Sequence, residues 1–290
     1  MITGSIVALV TPMLPDGSID WSALESLIEQ HIMAGTAALG VVGTTGESAT
    51  LTVSEHCEVI SFAVKQGAGR IPIVAGTGAN STHEAVELTV AAAEVGADAS
   101  LLVTPYYNRP TQEGMYQHFV KVAESVNFPI ILYNVPGRTG TDLLNETVLR
   151  LSQIDNIVAL KDATGDVARG AALIEQLPDT FAVYSGDDGT ALELMRAGAK
   201  GNISVTANVA PAAMAEMCQL ALAGDFEAAE AIELRLRDLN QKLFVEPNPI
   251  PVKWAMAELG MMQNGIRLPL TPLSEQFHDA VRAAMGKAEL

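Results

Sequence analysis

The sequence predicts an α/β protein, a (β/α)8 barrel followed by a small C-terminal helical extension. Eight short apolar runs alternate with helix-like stretches, and only helical patterns follow the eighth run. The chain has 290 residues, which exceeds the roughly 250 of a typical barrel and leaves room for the extension. Eight consecutive strand–helix units favour a closed barrel. The alternative is a doubly wound open sheet, but the sequence has no GxGxxG turn to support it.

The predicted strands are rich in Val, Ile and Leu and show no alternation with polar residues. Parallel strands that are buried on both faces have this composition. The eight runs are Ile6–Val10, Leu39–Val42, Ile71–Ala75, Leu101–Val103, Ile130–Tyr133, Ile157–Leu160, Phe181–Tyr184 and Ile203–Val205.

Helical patterns fill the intervals between the strands. The first has an apolar face whose residues recur at steps of three and four. This face consists of Trp21, Leu24, Leu27, Ile28 and Ile32. A later pattern opens with Ser81-Thr82-His83-Glu84, which is typical of a capping box at the start of a helix. We therefore expect a barrel over residues 1–224 and a C-terminal helical domain over residues 225–290.

The composition excludes some classes of function. Against 17 Lys and Arg stand 34 Asp and Glu, which give a net charge of −17. This charge repels nucleic acid, so we expect no nucleic-acid partner. The N-terminal apolar run stops at Pro12, too early for a signal peptide or a membrane span, so we expect a cytoplasmic protein without a membrane contact. Cys57 and Cys218 lack CxxC or metal-ligand spacing and are expected to be buried thiols.

Barrel enzymes carry their active sites at the carboxyl ends of the strands, so the residues directly after each run are the candidates. Most are glycines and small hydroxylated residues, whose N–H and O–H groups suit a carboxylate or a phosphate. The five histidines fall in or near helices instead. We therefore expect no metal and no cofactor, which leaves a covalent intermediate as the means to stabilise a carbanion.

Lys161 is the candidate nucleophile. Of the seven lysines it alone closes an apolar strand, directly after Ile157–Leu160, and so points toward the catalytic face. Desolvation there favours the neutral amine that attacks a carbonyl carbon. The alternative is a structural lysine that is paired with a carboxylate such as Asp162 or Asp187.

Other groups at the same face could act with Lys161, and each has a structural alternative. Tyr133 ends the fifth strand, where its phenol could act as a proton shuttle. Alternatively, it is a core tyrosine whose hydroxyl has a hydrogen-bond partner within the protein. Arg138 suits a substrate carboxylate, or it forms a surface ion pair. Thr44-Thr45 could be turn residues, and Tyr106-Tyr107 could be interface hydrophobes. Their convergence on one face favours a site.

Longer motifs surround these residues. They are Gly43-Thr44-Thr45-Gly46-Glu47, Tyr133-Asn134-Val135-Pro136-Gly137-Arg138-Thr139-Gly140, Lys161-Asp162-Ala163-Thr164-Gly165, Ser185-Gly186-Asp187-Asp188 and the tail segment 244–253. With them the chain resembles the pyruvate-dependent N-acetylneuraminate lyase family, in its dihydrodipicolinate synthase branch, over essentially its whole length. Arg138 within its loop favours this branch over the neuraminate lyases.

The resemblance implies that pyruvate forms an imine with Lys161 and that the derived enamine attacks L-aspartate 4-semialdehyde. It implies a proton relay through Tyr133, Thr44 and a Tyr107 from a neighbouring subunit. It further implies substrate-binding residues, which are Thr45, Ile203, Gly186 and, for the semialdehyde carboxylate, Arg138.

The resemblance also implies a homotetramer built from two tight dimers, with L-lysine as an effector in the cleft between paired subunits. The residues that match the effector site are Ser48, Ala49, His56, Asn80, Glu84 and Tyr106. Lysine-sensitive relatives often carry histidine where this chain has Val53. We therefore expect weaker lysine binding and incomplete inhibition. On residues alone, Asn80 and Glu84 could equally cap the third helix.

Two other functions are also compatible with these residues. Another lyase of the family, acting on N-acetylneuraminate or a keto-deoxy sugar acid, would share Lys161, Tyr133 and the Gly43–Glu47 loop. Arg138 speaks against it, because a polyhydroxylated substrate needs hydroxyl partners more than a carboxylate clamp. A non-catalytic barrel that senses lysine or a keto acid would need no nucleophile.

Overall fold

A computed structural model describes residues 1–290 and shows eight parallel strands that close into a barrel in sequence order. The strands are β1 Gly4–Ala8, β2 Ala38–Val41, β3 Ile73–Gly76, β4 Ala99–Val103, β5 Ile130–Asn134, β6 Ile157–Asp162, β7 Ala182–Ser185 and β8 Gly201–Ser204. Because β1 pairs with both β2 and β8, the sheet has no free edge. Each predicted run overlaps one strand, so the predicted (β/α)8 (TIM) barrel is confirmed.

Twelve α-helices follow or connect the strands. They are α1 Trp21–Met33, α2 Val53–Gly67, α3 Thr82–Glu94, α4 Gln112–Ala123, α5 Pro136–Thr139, α6 Asn145–Leu151, α7 Val167–Ile174, α8 Ala191–Arg196, α9 Pro211–Leu222, α10 Phe226–Lys242, α11 Ile250–Glu258 and α12 His278–Lys287. No helix is both long enough and apolar enough to cross a membrane.

The start of α3 differs in detail from the prediction. Ser81 caps the helix by accepting a hydrogen bond from the backbone N–H of Glu84. The Glu84 side chain does not return the bond, so only half of the predicted capping box forms. A complete box occurs at α2, where Thr52 and Glu55 satisfy each other's backbone N–H groups.

Apolar side chains fill the barrel and the layer between barrel and helices. The inner cluster includes Ile6, Ile131, Tyr133 and Ile203, so the last two side chains point into the barrel. This cluster fills the barrel below the carboxyl ends of the strands. Cys218 is buried as predicted, whereas Cys57 is only partly buried.

Helices α10 to α12 add no strand to the barrel. α10 packs on α9 and α12, and α11 packs on α12. The first turn of α11 also reaches the barrel mouth, where Lys253 pairs with Glu47. The division of the chain at residue 224 stays a prediction.

Candidate active site

A cavity of about 130 Å³ opens at the carboxyl ends of the strands. It lies where the packing of a barrel leaves space for chemistry. Of the eight residues predicted to be catalytic or substrate-binding, only Tyr107 is absent from its wall. The other seven are Thr44, Thr45, Tyr133, Arg138, Lys161, Gly186 and Ile203.

Lys161 lies near the end of β6, buried, with its side chain in the cavity wall. Its amino group forms neither an ion pair nor a hydrogen bond within the protein. The alternative interpretation paired Lys161 with Asp162 or Asp187, but both carboxylates have other partners. Asp162 accepts a hydrogen bond from the N–H of Thr164 at 2.9 Å, and Asp187 accepts one from the hydroxyl of Thr190 at 2.7 Å. A structural ion pair therefore does not account for Lys161.

The chain has a second buried lysine, Lys253, which differs from Lys161 in its partner. The Lys253 side chain is 1 % exposed and forms an ion pair with Glu47, whose side chain is fully buried. Burial lowers the pKa of Lys253, and the Glu47 carboxylate opposes this effect by stabilising the charged ammonium. Lys253 is also absent from the cavity wall. Only Lys161 combines burial, access to the cavity and freedom from a carboxylate.

Tyr133 is the neighbour of Lys161 across the β5–β6 pairing. The Lys161 Nζ atom lies 4.2 Å from the centroid of the Tyr133 ring. The ring is buried, but its hydroxyl forms no hydrogen bond within the protein, unlike the satisfied hydroxyl of a core tyrosine. A phenol in this position can exchange protons with groups that are bound to Lys161.

The loop Gly43–Glu47 after β2 presents unpaired hydrogen-bond donors. The backbone N–H groups of Thr44 and Thr45 have no acceptor in the protein. Thr45 is buried, and buried N–H groups without a partner are rare in proteins. Adjacent free N–H groups of this kind suit a carboxylate.

Arg138 lies in the one-turn helix α5 and lines the cavity. Arg138 forms no ion pair, so the structure does not support the alternative interpretation of Arg138 as part of a surface ion pair. Its Nη2 atom donates to the carbonyl oxygen of Asn248 at 3.3 Å. This contact leaves most of the guanidinium donors available to an anion.

Sequence reasoning missed Asn248. Its side-chain Nδ2 donates to the hydroxyl oxygen of Thr45 at 2.9 Å, and its Oδ1 is buried without a partner. The signal for it was the proline-rich segment 247–251, whose neighbours in the fold the sequence does not reveal. Asn248 connects the C-terminal extension to both Thr45 and Arg138.

Tyr107 lies outside the cavity of its own chain. Its side chain is 90 % exposed, and its backbone has a φ of 73°. A positive φ is uncommon for an aromatic residue. The neighbouring Tyr106 is only partly exposed, at 40 %. The loop thus makes the aromatic side chain of Tyr107 project outward from the protein surface.

A second cavity, of about 480 Å³, adjoins the first and shares Thr44, Val135, Arg138 and Asn248 with it. Five of the six predicted effector residues line it, which are Ser48, Ala49, His56, Glu84 and Tyr106. Val53 lines it as well. Asn80 does not, but its Nδ2 donates to the carbonyl oxygen of Tyr106 at 3.2 Å. Because Ser81 caps α3, the interpretation of Asn80 as the cap is wrong.

The polar residues of the second cavity affect one another. Burial, and then the negative charge of Glu84, raise the pKa of Tyr106. Burial lowers the pKa of His56, although a hydrogen bond to the carbonyl oxygen of Gly76, at 2.7 Å, opposes this effect. Glu84 is thus the anionic group of the cavity that faces Tyr106.

The predicted location of the histidines in helices is confirmed, since His31, His56, His83, His118 and His278 lie in α1, α2, α3, α4 and α12. No group of three or more His, Cys, Asp or Glu side chains is arranged to hold a metal ion.

Known proteins match the chain over its whole length. Residues 1–288 match the Dihydrodipicolinate synthetase family. The 4-hydroxy-tetrahydrodipicolinate synthase of Herminiimonas arsenicoxydans is 59% identical over 288 residues, which are 99% of each chain.

Solved structures agree with these matches. The dihydrodipicolinate synthase of Acinetobacter baumannii, complexed with pyruvate, has a TM-score of 0.98 and 59% identity, and the match covers 100% of this chain and 99% of that one. The enzyme of Cyanidioschyzon merolae with lysine bound has a TM-score of 0.96 and 40% identity, with coverage of 100% and 99%. On these grounds the chain belongs to the dihydrodipicolinate synthetase family.

Proposed function

We propose that this chain condenses pyruvate with L-aspartate 4-semialdehyde and that Lys161 holds pyruvate covalently during the reaction. As a member of its family the chain is a lyase of the lysine and diaminopimelate pathway. The observation that carries the proposed mechanism is Lys161 itself, a buried amine in the cavity wall without a carboxylate partner.

The first stage activates pyruvate. The neutral amine of Lys161 attacks the keto carbon, and loss of water gives an imine. The protonated imine withdraws electrons, so a methyl proton of pyruvate can leave and an enamine forms. Tyr133 is the group placed to accept and return protons, since its ring lies beside the Lys161 Nζ atom.

The second stage forms the carbon–carbon bond. The enamine carbon attacks the aldehyde carbon of the semialdehyde, whose oxygen takes up a proton and becomes a hydroxyl. The amino group of the same molecule then attacks the imine carbon and expels the amine of Lys161. This step closes the ring and regenerates the free lysine.

The two carboxylates have separate partners. The free N–H groups of Thr44 and Thr45 lie in the cavity wall and suit the pyruvate carboxylate, while Ile203 and Gly186 bound the same space. Arg138 suits the carboxylate of the semialdehyde, because its guanidinium has no carboxylate partner of its own.

Protons reach solvent through Tyr133, Thr44 and the Tyr107 side chain of a partner subunit. The exposure and backbone strain of Tyr107 support this role, since an aromatic side chain held away from its own chain suits insertion into another. We accordingly propose a homotetramer of two tight dimers. A cytoplasmic location stays a prediction.

L-lysine is proposed as an effector that binds in the second cavity. Glu84 supplies a negative charge for an ammonium group, and Tyr106 offers an apolar face for the aliphatic stem. The lysine-bound relative from Cyanidioschyzon merolae supports this ligand. Since Thr44 lines both cavities, a ligand there would lie next to the proton relay.

Borohydride reduction in the presence of pyruvate tests the covalent step. The reduced imine should add a lactyl-type mass to the peptide that contains Lys161, with no label on Lys253. Label on another lysine, or none, would refute the mechanism. Faster cleavage of N-acetylneuraminate or a keto-deoxy sugar acid than condensation of the semialdehyde would move the chain to the other branch of lyases.

A further inference from the structure

The ion pair between Glu47 and Lys253 is the most deeply buried one in the molecule, with side chains 0 % and 1 % exposed. Every other ion pair includes a side chain that is at least a fifth exposed. A buried pair is a poor source of net stability, because the removal of both charges from water costs about as much as their attraction returns. Folding therefore gains little net stability from this pair.

On the barrel side, the pair fixes the loop that carries Thr44 and Thr45. Glu47 has a φ of 57°, which a side chain other than glycine rarely adopts. Its carboxylate also accepts a hydrogen bond from the N–H of Arg267 at 3.2 Å. Glycine would adopt this backbone without strain, so it is the carboxylate that the position needs.

On the other side, the pair fixes the C-terminal extension. Lys253 lies in the first turn of α11, five residues after Asn248. Asn248 contacts the hydroxyl of Thr45 and the guanidinium of Arg138. The loop and the extension therefore meet at three points, which are the ion pair, the Thr45–Asn248 hydrogen bond and the hydrogen bond from the N–H of Arg267 to Glu47. The ion pair is the most rigid of the three, because it is charged and excluded from water.

We propose that Glu47 and Lys253 are positioning residues for the condensation. Their ion pair holds the free N–H groups of the loop, and through Asn248 the Arg138 side chain, at fixed positions relative to Lys161. The inference rests on the proposed function, since it presumes that these groups bind the substrate carboxylates. Neither charged group touches substrate.

The double variant Glu47→Gln with Lys253→Met separates positioning from stability. It removes both charges, so no unpaired charge stays buried, and Gln retains an acceptor for the N–H of Arg267. The melting temperature should stay close to wild type, whereas Lys253→Met alone should melt lower because it leaves the Glu47 carboxylate unpaired.

The readout is borohydride trapping at Lys161 as a function of pyruvate concentration. We expect the double variant to be trapped at Lys161 with a half-saturating concentration about tenfold above wild type, the effect of a small misplacement of binding groups. The matched control is Glu258→Ala, which removes an exposed ion pair with Arg282 from the same helix and should leave half-saturation unchanged.

Glu47→Asp keeps both charges and shortens one side chain, so it provides the test if the double variant folds poorly. It too should raise the half-saturating concentration. Wild-type half-saturation in a folded variant of either kind would overturn the positioning role alone. Absence of trapping in the wild-type protein would overturn the proposed function and this inference together.

Discussion

A Cβ atom at position 186 would lie 2.8 Å from Cε and 3.0 Å from Cγ of Lys161, so Gly186 is what leaves space for the lysine side chain. The same atom would lie 2.8 Å from Cβ of Ala163. Real Cβ atoms do not approach other atoms this closely, and Ala163 cannot move away without its backbone. The position of Lys161 thus depends on the absence of a side chain at the end of the neighbouring strand.

We expect Gly186→Ala to displace the Lys161 amine and to slow imine formation by about 100-fold or more, the effect of a misplaced reacting group. Borohydride trapping with pyruvate measures this rate. Gly189→Ala is the matched control in the same loop, because its nearest contact, 3.6 Å from an Asp187 oxygen, is an ordinary one. Equal trapping rates in the two variants would show that Lys161 adapts to the added methyl group.

Lys161→Ala should abolish turnover, with a loss of at least about a thousandfold, because no other cavity group can form an imine. The melting temperature should change little, since the side chain lines a cavity rather than the packed core. Steady-state assay and thermal unfolding measure the two quantities. Lys200→Ala is the control, because Lys200 precedes β8 at the amino end of the strand. This variant should retain turnover. A turnover of Lys161→Ala near that of wild type would mean that catalysis uses another nucleophile.

Acid should destabilise the protein through His31. Burial lowers the pKa of His31 to about 4 from its usual 6.5, so the folded protein holds this ring neutral. Between these values the unfolded chain binds the proton more tightly than the folded one, so stability is lost as the pH falls below 6.5. For one such residue the loss between pH 7 and pH 5 is about 2 kcal/mol.

The variant His31→Gln should therefore lose about 2 kcal/mol less than wild type between pH 7 and pH 5. Glutamine can still accept the hydrogen bond that His31 Nδ1 shares with Thr36. Urea unfolding at the two pH values provides the free energies. His83→Gln, on the exposed surface of α3, is the control and should follow wild type. If the free energy of unfolding depends on pH identically in all three proteins, His31 is excluded as a source of the loss of stability in acid.

The strands were predictable because a buried parallel strand leaves a direct trace in sequence, an apolar run without alternation. The ends of the strands were less predictable from the sequence. The run at Ile71 begins two residues before β3, since Pro72 cannot donate to a strand partner. β6 extends past its apolar run through Lys161 and Asp162, where the residue types indicate chemistry rather than a strand.

The site was predictable where a polar residue interrupts a strand end, as at Lys161 and Tyr133. Contacts between distant segments were not. Glu47 and Lys253 are 206 positions apart, and nothing near either one indicates the other. The burial of Lys253 has a weak local signal, the apolar neighbours Val252 and Trp254. Asn248 contacts the loop through a separate long-range hydrogen bond, to the hydroxyl of Thr45.

Arg138→Leu should weaken the use of L-aspartate 4-semialdehyde by roughly 2–4 kcal/mol in kcat/KM, the scale of a lost charged hydrogen bond. Trapping of pyruvate at Lys161 should survive, because we propose that Arg138 binds the second substrate. Arg150→Leu removes an exposed arginine that pairs with Glu113 and should affect neither step. A loss of pyruvate trapping in Arg138→Leu would instead assign the guanidinium to the first substrate.

Lysine binding should depend on Glu84, the anionic residue that faces Tyr106 in the second cavity. Glu84→Ala removes the partner of the ligand's ammonium group, and we expect an affinity loss of about 1.5–3 kcal/mol, as for a hydrogen bond to a charged group. Calorimetric titration with L-lysine measures it.

Glu87→Ala is the matched control for this titration, since Glu87 lies one turn further along α3 and pairs with His83 on the surface. It should bind lysine as wild type does. Val53 lines the cavity with an apolar side chain that is 61% exposed, so Val53→His adds a polar group there and should tighten binding. Tighter binding would show that the missing polar contact weakens lysine binding in the wild type, as we expect. Lysine affinity that is the same with and without Glu84 would place the effector elsewhere on the protein.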